Sequence, residues 1–238
     1  MLSRMTQSAP NATLAESVYL RLRGELQQGD LAPGSKLRIN EIAARYAVSP
    51  SVLREALARL AAQGLVVAIP QRGFAVVELS IADLEDLTRA RRLIETTALR
   101  ESIADGDLAW ESTVLATHHR LTRTPMNTPD GHVNPEWADA HIDFHHVLLA
   151  GGRSRRLTDI ADNLRDCSNL YQHWSRELAH DTQRDVAAEH QEIADLTLAR
   201  DADGAADALA RHIERTTQAL VAYAQEREGD QAHVTASR

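Results

Sequence analysis

A chain of 238 residues suits one large domain or two small ones, and either can bury a sizeable core. With 43% hydrophobic, 25% charged and only 4% aromatic residues, the composition excludes a disordered chain and leans towards helix; no apolar run reaches membrane-span length, and a lone Cys167 excludes an internal disulfide. The net charge of −8 hides an asymmetry: residues 1–79 carry nine Lys/Arg against six Asp/Glu, residues 80–238 carry 17 against 28, and all eleven histidines lie from His118 onward.

In chain order, MLSRMTQSAPNA is polar and has no apolar export segment, which with the single cysteine leads to an expected cytoplasmic location. Leu14 to Gln28 spaces Val18, Leu22 and Leu26 as an amphipathic helix that Gly29-Asp30 ends. Pro33-Gly34 marks a turn. Glu41 to Leu60 then reads as two short helices around a tight turn. The first covers Glu41 to Tyr46; Ser49 caps the second, with Pro50 at its first position, where the missing N–H costs nothing. Leu53, Leu57 and Leu60 put one face of that helix inward, leaving Ser49, Ser51 and Arg54 at its opposite, amino-terminal end. An ordinary pair of core helices shows the same pattern. The alternative is a helix-turn-helix whose second helix offers its first residues to the major groove. Val66 to Ile69 and Phe74 to Leu79 form a hairpin around Pro70 to Gly73. Three helices and a hairpin make a winged helix-turn-helix, with Gln71-Arg72-Gly73 at the wing tip, suited to a phosphate or the minor groove.

The runs LAPGSKLRINEIA, AVSPSVLREALARL and GLV…QRGFAVVELS, in that order and spacing, resemble the DNA-binding domain of the GntR family of bacterial transcription regulators. The resemblance implies DNA contacts from Arg38, Ser49, Ser51, Arg54, Arg72 and Gly73. It also brings a departure. Where the family usually has an arginine directly after the turn serine, this chain has Pro50, so operator preference does not carry over from relatives.

From Ile81 onward the pattern is helical throughout, in six segments near 81–104, 107–123, 135–150, 153–179, 182–201 and 203–228, which implies an antiparallel bundle. The expected organisation is mainly α: a winged helix-turn-helix over 12–79, an all-helical domain over 80–228 and a flexible tail over 229–238. His141 and His145 stand four apart on one helix face. His190 and His212 lie on the inward stripes of two later helices. An isolated histidine on such a stripe is usually a hydrogen-bonded core residue; four on converging helices suit a divalent transition metal, and neutral imidazoles favour Zn²⁺, Ni²⁺, Cu²⁺ or Fe²⁺. Asp139 and Asp143 point to the far side of that helix. His118, His119, His132, His146, His173, His180 and His233 are expected at the surface or in loops. Arg91 falls on the line Leu84, Leu87, Arg91, Ile94, Ala98. A buried guanidinium needs an anion, either Glu95 one turn along or a carboxylate effector held bidentately.

The runs RARRLIETTA, DFHHVLLAGGRSRRL and AAEHQEIADLTLARDADGAADALARHI resemble the ligand-binding FCD domain of the FadR-like branch of the same family. Metal-binding members of that branch use an Asp, a His four residues later and two more His from the last two helices. His145, His190 and His212 match the histidine positions, and His141 stands where the Asp would be, which favours nitrogen-loving ions such as Zn²⁺ or Ni²⁺. The resemblance implies a homodimeric regulator, a repressor in the family's commoner mode, that binds a palindromic double-stranded DNA operator and responds to a small organic acid, with Arg91 as an effector contact. A histidine-ligated metalloenzyme is the alternative from another class. The helix motif HExxH is absent, however, and Asp143 on the far face cannot serve as a base for metal-bound water. A DNA-binding protein whose bundle only dimerises is the third reading.

Overall fold

The computed structural model describes residues 13–27, 29–78, 80–130, 132–176 and 184–236. The chain divides into two units, Met1–Leu79 and Ser80–Arg238.

In the first unit, α1 (Leu14–Gln27) buries Val18, Leu22 and Leu26 against Leu53, Leu57 and Leu60 of α3 (Pro50–Ala62). Between them α2 (Ile39–Arg45) supplies Ile42 and Ala43 to the same core. The turn from α2 to α3 passes through Ala47 in the left-handed region, with φ 54°. Ser49 then caps α3: the Val52 N–H donates to its Oγ at 3.3 Å, ahead of Pro50 at the first helical turn. The hairpin of β2 (Val66–Ile69) and β3 (Gly73–Val76) forms, but its returning strand starts one residue earlier than expected and ends at Val76 rather than running on towards Leu79. Its turn needs positive φ at Gln71 (59°) and Gly73 (95°), which glycine adopts without strain. A third strand was not anticipated. Lys36–Leu37, here β1, pairs antiparallel with β3, so the sheet order is β1-β3-β2. Two residues are too short for any alternation to appear in the sequence.

The second unit is helical among the described residues: α4 (Ile81–Asp105), α5 (Leu108–Arg123), α6 (Pro135–Leu148), α7 (Arg155–Arg176), α8 (Val186–Leu198) and α9 (Ala202–Ala236). The expected starts of α4, α5 and α6 agree with the structure to within a residue, whereas α8 begins at Val186 rather than near 182; side chains cap all four. Ser80, Asp107, Asn134 and Asp185 each accept a backbone N–H from the first turn of α4, α5, α6 and α8. The expected break near Asp181 lies outside the described residues. α9 runs through Gly229 to Ala236 rather than ending at 228. An internal glycine costs about 1 kcal/mol in a helix and need not stop it. Leu99, Val114, Phe144, Leu148, Ile193 and Leu209 form the fully buried centre of this unit, drawn from α4, α5, α6, α8 and α9.

The inward line of α4 also differs from expectation. Thr88, Arg91 and Glu95 are buried, whereas Leu87 and Ile94 are only partly so. The polar groups go inward because each finds a partner there. Thr88 Oγ1 bonds to Leu84 O at 2.7 Å and lies 2.5 Å from Thr217 Oγ1, while Arg91 and Glu95 bond to each other.

Candidate metal centre and nucleic-acid interface

The sequence-predicted DNA residues gather in the winged unit. Ser49, Ser51 and Arg54 are exposed over the first turns of α3, with Arg72 exposed at the hairpin turn and Gly73 partly so. A methyl group added at Gly73 would sit 4.0 Å from Ile39 Cδ1, so the turn end of the hairpin lies near the start of α2. Arg38 is the residue before α2; its Nη1 donates to Glu41 Oε1 at 2.9 Å with both side chains exposed, and this contact raises its pKa. Pro50 is exposed, and where the usual arginine would project it presents only its ring.

In the helical unit, α6 carries His141 and His145, α8 carries His190 and α9 carries His212. All four are buried, and one ring nitrogen from each lies within 4.8 Å of the others. Nε2 of His145 and Nε2 of His190 are 3.3 Å apart. Two neutral lone pairs at that distance repel unless a proton or a cation lies between them. Zn–N bonds of about 2.0–2.1 Å make the edge of an N₄ tetrahedron about 3.3–3.4 Å, so this pair has the spacing of two ligands on one ion. His145 Nδ1 is buried without a hydrogen-bond partner. Burial lowers the pKa of His145 and His190 well below the ordinary value. For His145 the neighbouring Arg165 adds to this, and for His190 the neighbouring His212 does. His212 is lowered by burial too, against an opposing hydrogen bond to Glu189. Burial thus favours the neutral form of His145, His190 and His212, the form a metal takes. Four nitrogen donors fit a Zn²⁺, Ni²⁺ or Cu²⁺ ion.

Asp139 and Asp143 are exposed on the far side of α6, and Asp143 pairs with Arg120. Trp137 stacks on His141, ring centroids 4.9 Å apart and planes 19° from parallel. One histidine departs from expectation. His118 is buried, 5.3 Å from the Phe144 ring, and its burial lowers its pKa. The signal was present: Val114, His118 and Leu121 fall at i, i+4 and i+7 on the inner face of α5. His119, His132 and His146 are exposed; the side chains of His173 and His233, and all of His180, lie outside the described residues.

Two carboxylates not singled out as site residues organise the arginines here. Glu95, fully buried, accepts from Arg91 Nε at 2.6 Å and Arg165 Nη1 at 3.1 Å, while Arg91 Nη1 donates to Ser168 Oγ at 2.7 Å. Glu189 accepts from Arg184 Nε and Nη2 at 3.0 and 2.6 Å and from Arg215 Nη1 at 3.0 Å, and it also lies 2.8 Å from His212 Nδ1. Each carboxylate thus holds two guanidiniums, and each trio carries one net positive charge. Desolvation pushes the Glu189 carboxyl up, but His212, Arg184 and Arg215 outweigh it and hold the group far below the ordinary carboxylate range.

Residues 14–76 match the family of bacterial regulatory proteins called the gntR family, and residues 86–215 match the FCD domain. The HTH-type transcriptional regulator BphR of Paraburkholderia xenovorans (strain LB400) is 36% identical over 209 residues, which span 85% of this chain and 83% of that protein. The HTH-type transcriptional repressor GlaR of Escherichia coli (strain K12) is 31% identical over 198 residues, spanning 82% and 90%. Among solved structures, E. coli McbR/YncC has the same fold at 19% identity, with a TM-score of 0.76 over 88% of this chain and 97% of that one. The chain belongs to the gntR family of bacterial transcription regulators, with an FCD domain as its carboxy-terminal unit.

Proposed function

We propose that this regulator is a cytoplasmic, dimeric repressor that binds a palindromic operator and is switched by a small carboxylate at a metal centre formed by His141, His145, His190 and His212. The observation that carries the reading is the convergence of four buried imidazoles from three helices. A bound divalent ion would supply a +2 charge and a Lewis-acidic point for an anion. The chain's own residues add to that field. The ligands are imidazoles, and the Glu95 and Glu189 trios each keep one net positive charge, so no anionic ligand cancels the charge of the ion. Arg91 contributes as part of the Glu95 trio, and a direct grip on an effector would need it to exchange Glu95 or Ser168 for the ligand. Repression is supported by the similarity to GlaR, whose name is that of a repressor. One recognition helix reads only a few base pairs, so two copies on half-sites about one helical turn apart are required for a specific site.

For an effector to act it must bind two arrangements of the dimer with different affinities. The test has three parts: elemental analysis of protein made without a histidine tag, sequencing of the genomic fragments it retains, and release of those fragments by a panel of organic acids. Metal-free protein that still responds fully to its effector would reduce the four histidines to core packing. A monomer in sedimentation that protects a single non-palindromic site would overturn the dimeric reading.

A further inference from the structure

Behind the histidine cluster stands a carboxylate that belongs to no ligand set. Glu189 precedes His190 in the chain, so on α8 its side chain leaves the helix about 100° from that ring. It therefore faces His212 on α9. The 2.8 Å contact between Glu189 and His212 involves Nδ1, and Nε2 is the nitrogen left on the opposite side of the ring. An ionised carboxylate only accepts, so His212 must carry its proton on Nδ1, and the lone pair sits on Nε2. Both Glu189 and His212 are buried, so water does not compete for that proton.

We infer that Glu189 is the positioning residue of the metal centre: it fixes the tautomer and orientation of His212 and makes its Nε2 a stronger donor. The inference rests on the four-histidine reading above. Arg184 and Arg215 set the strength of the effect. Both draw on the same carboxylate, at 2.6 and 3.0 Å, and so take part of the negative charge that would otherwise reach the imidazole. Arg184 is almost buried and also donates to Thr216 Oγ1 at 3.1 Å and His212 O at 3.2 Å, so it pins the carboxylate in place. Arg215 is more than half exposed and makes its contact from outside.

The two arginines allow a test that separates positioning from packing. Zn²⁺ affinity would be measured by chelator competition for the wild-type chain and for Glu189→Gln, Glu189→Ala and Arg215→Ala, with the unfolding midpoint of each metal-free protein alongside. Glu189→Gln keeps an acceptor for the His212 proton but loses the charge, and should bind Zn²⁺ about tenfold more weakly; Glu189→Ala should approach a hundredfold. Arg215→Ala should bind more tightly than wild type, because it frees carboxylate charge and removes a cation near the ion. A purely structural ion pair predicts the reverse sign for that surface variant, which remains informative even if Glu189→Ala fails to fold. Wild-type protein that takes up no Zn²⁺ would overturn the metal reading itself. Wild-type binding with equal affinity in Glu189→Gln and no tightening in Arg215→Ala would overturn the positioning role alone.

Discussion

Gly151 lies so close to Trp110 that a methyl group added there would stand 2.8 Å from the indole Cε2 and 2.8 Å from Ser102 O. The same indole donates from Nε1 to Val147 O at 2.8 Å. Trp110 at the start of α5 therefore locks the end of α6 and the turn after it against α4. That lock holds the helix that carries His141 and His145. Gly151→Ala should cost about 1–3 kcal/mol through overpacking. Gly106→Ala, whose methyl would meet Trp110 Cε3 at 2.2 Å and Ser102 O at 2.5 Å, should cost at least as much. Urea unfolding with unchanged midpoints would contradict the account.

Removing a ligand should act on metal content before it acts on fold. In His145→Ala or His190→Ala, bound metal should drop from about one ion per chain to well under half. Effector-dependent release of DNA should disappear with it. The measurement is elemental analysis of tag-free protein beside an operator-release assay. Normal metal content in both variants would remove these two residues from the ligand set.

The same burial makes the apo protein sensitive to acid. The pKa of His145, His190 and His212 is depressed in the folded state, chiefly by desolvation. Above their unfolded value of about 6.5 they are neutral in both states and their stabilising contribution is complete. As the pH falls below that, the unfolded chain takes up protons that the folded chain refuses. Stability is then lost by up to about 1.4 kcal/mol per imidazole per pH unit until the folded pKa is passed. His146 runs the other way. Its hydrogen bond to Asp162 raises its pKa, so its contribution is present at low pH and fades as the pH rises through the folded value, weakened by exposure. Denaturation midpoints measured on chelated protein from pH 8 to pH 5 should fall, and a flat profile would contradict neutral burial.

Arg54 and Arg72 should differ in how they fail. If Arg54 reads a guanine edge, Arg54→Ala should cost about 1–3 kcal/mol at the operator and relax one base position. If it holds only a phosphate, all sequences should weaken alike and the salt slope should fall by about one. Arg72→Ala should show the second behaviour. Binding isotherms at three salt concentrations, on specific and random DNA, distinguish the cases, and unchanged affinity in both variants would sink the interface.

The winged unit was legible because its signals are local. Ser49 and Pro50 announce a helix start, Leu53, Leu57 and Leu60 give its inner face, and Gly73 sits where the hairpin needs positive φ. The i,i+4 pair His141 and His145 was readable for the same reason. What escaped depends on partners far along the chain. Lys36–Leu37 becomes a strand only because β3 offers an edge about forty residues later. Glu189 looks like an ordinary helix-surface acid until Arg184 and Arg215 are seen around it, and Glu95, foreseen as a partner of Arg91, gives no sign of its second guanidinium, Arg165. Charged residues on an inward face carry no periodic signal of their own.

The stack of Trp137 on His141 has a practical consequence. An excited indole loses its emission by electron transfer to an adjacent imidazolium or an open-shell ion, whereas closed-shell Zn²⁺ has no redox chemistry to offer it. The protein therefore carries its own optical reporter one ring away from the candidate centre. Titration with Ni²⁺ or Cu²⁺ should darken it, Zn²⁺ should leave it bright and in excess compete out Ni²⁺ but not the tighter-binding Cu²⁺, and Trp137→Phe should abolish the response while the remaining tryptophans still emit. Competition among ions can then be followed in a cuvette, without a label and without DNA.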